Sequence, residues 1–232
     1  MAEIEKVNNG AHERYATSAT AAPPAPVFRP IANPAPLGLF SFASTTLMLS
    51  LFNVNVRHVT NANMVIGMAI ACGGGAQLLA GMWEFAAGNT FGATAFSSYG
   101  AFWISYALIF VPGANVAVSY SEESGTADQL NNAVAVFLTV WFIVTFLFFL
   151  ASLRSTFALV ALFFFLDITF LLLMIGAYLD NVNIHKAGGA FGILTAFIAY
   201  YAGASALITP DNRRVFFVLP SGNMPKRRVS PV

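Results

Sequence analysis

Charge is scarce in this chain. Asp, Glu, Lys and Arg make up 9% of its 232 residues while 57% are hydrophobic, a balance far from that of a water-soluble domain of this length. Cysteine is scarcer still: Cys72 is the single one, which excludes an intrachain disulfide. The three histidines, His12, His58 and His185, form no H-x-x-x-H pair and have no cysteine partner, so neither a metal nor a haem site is supported and no cofactor is expected. No G-x-S-x-G elbow and no H-E-x-x-H helix occurs, which leaves an intramembrane hydrolase without its machinery and argues against an enzyme. There is no N-x-Ser/Thr sequon and no visible internal repeat. Nucleic acid is excluded as a partner by a net charge of only +1 in so apolar a chain.

What the chain does contain is long apolar runs. Six of them, Leu37–Val54, Met64–Ala87, Phe91–Val111, Ala133–Ala151, Thr156–Leu179 and Ala187–Ile208, each approach the ~20 residues that cross a bilayer as helix. They are continuous rather than alternating and too long for strands, which rules out a β-barrel. The expected fold is therefore an all-α membrane protein, a six-transmembrane-helix bundle over 33–210, between a disordered tail at 1–32 and a basic tail at 211–232. Lys6, Arg14, Arg29, Arg154, Arg213, Arg214, Lys226, Arg227 and Arg228 fall on the side of the N-terminus, and only Arg57 and Lys186 on the other. That asymmetry places both termini in the cytoplasm. The A-A-P-P-A-P run at Ala21–Pro26 reads as flexible linker, and K-R-R-V-S-P near the C-terminus as a basic cluster that Ser230 phosphorylation would weaken. The long outer loop carries Glu122, Glu123 and Asp128, a solvated acidic connector.

No Lys or Arg lies within any run, and the acids there are Glu84 and Asp167. An ionised carboxylate is costly in hydrocarbon, so Asp167, near the middle of the fifth run, must face the bundle interior, be protonated or find donors on a neighbour. Gln77 and Glu84, seven apart, share a face of the second run with Gly73, Gly74 and Gly81, a face that must pack closely on another helix. Gly188 and Gly192 give the sixth run a similar small face. Glu84 can serve either the short Gly88-Asn89-Thr90 turn or a proton relay. Phe42, Thr45, Thr46, Leu49 and Asn53 fall along one stripe of the first run, and Tyr99, Phe102, Trp103 and Tyr106 along one of the third. A pore lining and plain packing both account for such stripes. Ahead of the first run, Pro34 suits a first helical position and Asn33 can cap its free donors, making that helix start a modest anion attractor.

Two stretches carry a resemblance: N-P-A-P-L-G-L at Asn33 to Leu39 and G-N-T-F-G-x-T-A-F-x-S-Y-G-x-F-W at Gly88 to Trp103. With the six-span layout they make the chain similar, over about residues 31 to 220, to the acetate uptake transporter family of bacterial succinate–acetate permeases and fungal acetate and ammonia-export proteins. The resemblance implies a plasma-membrane permease or channel for acetate and other small monocarboxylates, succinate among them, moving with a proton. It implies a homo-oligomer, a hexamer, with one path per subunit. It assigns a constriction to Phe42, Tyr99 and Leu166 and a substrate entrance motif to Asn33, Pro34, Leu37, Gly38, Thr45 and Thr46, while Gln77, Glu84, Asn89, Thr94 and Asp167 are polar or proton-handling candidates by their own chemistry. Asp167 stands where bacterial members carry a neutral polar residue. The alternatives are an ammonia or ammonium exporter and a non-transporting membrane sensor or scaffold.

Overall fold

A computed structural model describes residues 31–209, 219, 220 and 222. The regular structure of the described residues is helical, with no strand among them. The spans appear as α1 (Ala35–Asn53), α2 (Val65–Ala86), α3 (Thr90–Phe110), α4 (Leu130–Ser152), α5 (Phe157–Tyr178) and α6 (Val182–Leu207). Five of them are long and apolar enough to cross a membrane by length and composition. The sixth, α3, has the length, 21 residues, but dilutes its apolar content with Thr, Ser, Gly and Tyr. The readings made for 1–30, including the proline run, and for most of 211–232, including Ser230, lie outside the described residues. Within the C-terminal stretch, the Pro220 carbonyl accepts from the Tyr201 hydroxyl at 2.7 Å and the Gly222 carbonyl from the Phe157 N–H at 3.0 Å.

Helix ends are set by short polar residues. The first helix starts one residue later than its proline suggests: Pro34 occupies the cap position, and Asn33 Oδ1 accepts from the Ala35 N–H at 3.0 Å. Asn89 Oδ1 accepts from the Gly92 N–H to open α3, Thr156 Oγ1 from Leu159 to open α5, and Asn181 Oδ1 from Asn183 and Ile184 to open α6. Each replaces a partner that the first turn of a helix lacks. We call the end where α1, α3 and α5 begin the near end, and that where α2, α4 and α6 begin the far end.

Lipid tails are as apolar as leucine, so helices in a membrane associate through close packing and hydrogen bonds rather than by escape from water. The glycines supply the closeness. A Cβ on Gly100 would sit 2.9 Å from the Leu78 backbone, joining α2 to α3, and one on Gly189 would meet the Ser50 carbonyl at 3.0 Å, joining α6 to α1. Gly188 turns instead toward Leu173 of α5, so the small face expected on α6 wedges it between α1 and α5. Between Ala71 and Ala76, across three consecutive glycines, α2 widens into a π turn. There Gly73 lies against Trp103 and the Thr45 hydroxyl, and Gly74 against Ile104. The periodicity of the sequence carries no sign of this turn, whose register change comes immediately before Gln77.

Candidate substrate path

Two cavities occupy the bundle interior, and Phe42 borders both. The near cavity, about 80 Å³, lies among Leu39, Gln77, Glu84, Asn89, Phe91, Tyr99 and Leu162. The far cavity, about 70 Å³, lies among Thr46, Ser50, Asn53, Trp103, Tyr106, Leu166, Thr169 and His185. Each holds a few waters or one small acid. Tyr99 borders only the near cavity and Leu166 only the far one. Of the three residues expected at the constriction, Phe42 therefore lies between the cavities, and Tyr99 and Leu166 line one cavity each. The Phe42 and Tyr99 rings are 5.6 Å apart at a 59° tilt, and Phe42, Tyr99 and Leu166 are all buried. Beyond the far cavity a wider space of about 370 Å³ opens among Asn53, Asn55, Thr60, Asn131, Asp180, Asn181 and His185.

The chemistry of the walls follows from which polar atoms are already used. Threonines within a helix ordinarily donate to the carbonyl four residues back, as Thr45 does to Ser41 at 3.0 Å and Thr169 to Phe165 at 2.8 Å. Thr46 does not: its hydroxyl has no protein partner among the described residues, and it lines the far cavity. The Trp103 indole N–H is likewise unpartnered, and Trp103 also borders that cavity. On the near side the Gln77 Oε1 and Glu84 Oε1 atoms lack partners, with Gln77 only 1% exposed. Buried polar groups left this way cost about 1–3 kcal/mol each unless water or a ligand satisfies them. Both cavities therefore combine an apolar wall with a few unused donors and acceptors, the pattern of a site for a small polar molecule.

The expected site residues divide. Phe42, Tyr99, Leu166, Thr46, Gln77, Glu84 and Asn89 each border at least one of the two cavities. Glu84 Oε2 also accepts from Asn89 Nδ2 at 2.8 Å, the turn-bonding alternative for Glu84, while its other oxygen is buried without a partner among the described residues. The remaining residues border neither cavity. Thr45 bonds its own helix and packs on Gly73, Gly38 packs on the Phe96 ring, and Asn33 and Pro34 form the exposed cap of α1. Leu37, 51% exposed, and Thr94, bonded to the Thr90 carbonyl, face outward. Asp167 borders neither cavity: one residue beyond Leu166 places it on the adjacent face of α5, where its Oδ1 is buried without a partner.

Two residues escaped the sequence reading. His185 is expected in an outer loop, yet it lies in the first turn of α6 and borders both the far cavity and the wider mouth. The signal was Asn181, a cap residue that starts α6 five residues before the apolar run does. Thr145 on α4 bonds the Tyr99 hydroxyl at 2.9 Å. Among the described residues no group of three His, Cys, Asp or Glu side chains is placed to hold a metal ion.

Comparison with known proteins places the chain among relatives. Acetate permease A of Emericella nidulans is 46% identical over 204 residues, 85% of this chain and 68% of that protein. Ammonia transport outward protein 2 of Saccharomyces cerevisiae is 41% identical over 203 residues, 86% of this chain and 71% of that one. The Succinate-acetate/proton symporter SatP of Escherichia coli is 35% identical over 193 residues, 83% of this chain and 96% of its own. The solved structure of the bacterial acetate channel SatP superposes with a TM-score of 0.70 at 32% identity, covering 82% of this chain and 99% of that one. The chain spans about two thirds of the length of the fungal relatives, and over residues 16–226 it matches one family throughout: it belongs to the GPR1/FUN34/yaaH family.

Proposed function

We propose that the chain is a multi-pass permease for acetate and other small carboxylic acids, carrying its substrate through one path per subunit across the plasma membrane. The observation that supports this most is the septum: Phe42 separates two small cavities that lie toward opposite ends of the bundle, with Tyr99 and Leu166 on either side of it. A carboxylic acid with a pKa of about 4–5 is mostly ionised at neutral pH, and taking one proton along removes the cost of moving its charge past an apolar septum. Thr46 and Trp103 supply donors for the carboxyl oxygens, and Gln77 and Glu84 supply acceptors for the acid proton. Strongly hydrated inorganic ions are resisted because these walls offer too few groups to replace their water. Both termini face the cytoplasm, so the near cavity is the inner one, and the subunits assemble as a homo-hexamer.

A second reading, export of ammonia, is favoured by the relationship to a protein named for outward ammonia transport. The deciding experiment is flux in liposomes containing the purified protein, with and without an imposed pH gradient. Labelled acetate that accumulates with the gradient supports the proposal. Release of ammonia without acetate movement would replace it with the second reading, and absence of either flux would point to a sensor or scaffold.

A further inference from the structure

The fourth helix is mostly an outer wall. Val136, Val140, Ile143 and Leu147 stand exposed on it, yet Thr145 is 0% exposed. Five other helical threonines, Thr45, Thr94, Thr139, Thr169 and Thr195, donate to the carbonyl four residues back. Thr145 makes no such bond among the described residues. Its hydroxyl crosses instead to α3 and bonds the Tyr99 hydroxyl at 2.9 Å, with Tyr99 itself 2% exposed. The neighbours that surround the Tyr99 ring are Phe42, Trp141, Phe148 and Phe163, at centroid distances of 5.6, 5.9, 5.7 and 6.3 Å. Contacts between rings are only weakly directional, so they fill space around Tyr99 without fixing where its tip points. A hydrogen bond at the tip does fix it, because the interaction weakens steeply with distance and angle.

We infer that Thr145 is a positioning residue for the constriction: by tying the Tyr99 hydroxyl to α4, it sets the gap left beside Phe42 and hence the size of acid that passes. This rests on the proposed role of Phe42, Tyr99 and Leu166. Substrate-size selectivity is then carried partly by a residue that borders neither cavity. Tyr99 is held in place from behind rather than shaped from within the path.

The test is the ratio of acetate to lactate flux in liposomes holding the full chain. Thr145→Val keeps the shape and loses the hydroxyl, and should lower the ratio several-fold. Thr145→Ser, which returns the hydroxyl, should restore it, a rescue that a purely space-filling role would not produce. Tyr99→Phe should lower the ratio as Thr145→Val does, and the two together should lower it no further. Should Thr145→Val alone fail to fold, the double variant leaves no orphaned hydroxyl, and its ratio decides. A wild-type ratio in Thr145→Val or in the double variant, with Tyr99→Ala relaxed, would overturn the inference and leave the constriction standing. A wild-type ratio in both Tyr99→Ala and Phe42→Ala would remove the constriction and the inference together.

Discussion

Glu84 accepts a 2.8 Å hydrogen bond from the side chain of Asn89, and the same asparagine accepts from the Gly92 N–H at 3.1 Å. One side chain thus ties the last turn of α2 to the first turn of α3, and its partner is the one acid that borders the near cavity. Asn89→Ala removes both bonds and should lower stability by about 1–2 kcal/mol. Glu84→Gln keeps an acceptor for Asn89 and should leave stability close to wild type. Thermal unfolding in detergent separates the two; equal losses in both variants would show that charge, not the bond, holds the turn.

The septum predicts a change in what passes. Phe42→Ala removes a ring from the wall shared by both cavities, and Tyr99→Ala removes the ring facing it. Both should admit lactate or succinate at several times the wild-type rate relative to acetate. Competition between labelled acetate and each larger acid measures this. Unchanged preference in both would place the selective step elsewhere.

At the start of α1, Asn33 is exposed and spends its side-chain oxygen on the Ala35 N–H. Asn33→Ala should therefore cost roughly 1 kcal/mol of stability, and Asn33→Asp should recover it, as expected of a helix cap. Apparent affinity for acetate should stay at the wild-type level in both. A raised half-saturation with intact stability would return this residue to the substrate path.

Asp167 lies beside the path rather than in it, with a buried oxygen that nothing in the described residues satisfies. Asp167→Asn is nearly isosteric and removes the charge from a membrane-buried position, so stability should hold or rise by up to about 1 kcal/mol. Exchange of labelled for unlabelled acetate should continue at the wild-type rate, as should accumulation driven by an acidic exterior. Loss of accumulation with exchange preserved would identify Asp167 as the proton carrier after all.

The six helices were legible because each is a long apolar run, and a bilayer leaves such a run little choice but to be a helix. Two motifs single out Phe42 and Tyr99 and a register on α5 singles out Leu166, and each of the three lines at least one cavity. What helical spacing could not convey was direction at finer than one turn. Thr45 and Thr46 are adjacent and alike in type, yet one is spent on its own helix while the other faces the far cavity. Thr94 belongs to the second motif but points outward, because on α3 that angle looks away from the interior. The π turn in α2 was hidden for another reason. A wide turn is permitted by glycines but produced by what packs on them, here Trp103, Thr45 and Ile104 from other helices. His185 lies ahead of the apolar run of α6, and a polar cap at Asn181 starts the helix earlier than that run does.

The modest hydropathy of α3 also bears on how the protein is made. Among the described helices of spanning length, α3 is the one that falls short of the others in apolar composition. Only Ala87, Gly88 and Asn89 separate it from α2, which is apolar enough to enter unaided. We predict that the two helices enter as one hairpin, with the Glu84 to Asn89 bond at its tip. A reporter fused after Phe110 should register membrane integration when α2 precedes α3 and lose much of it when α2 is replaced by a soluble linker. On that prediction, the polar side chains of α3 tie its biogenesis to the helix made just before it.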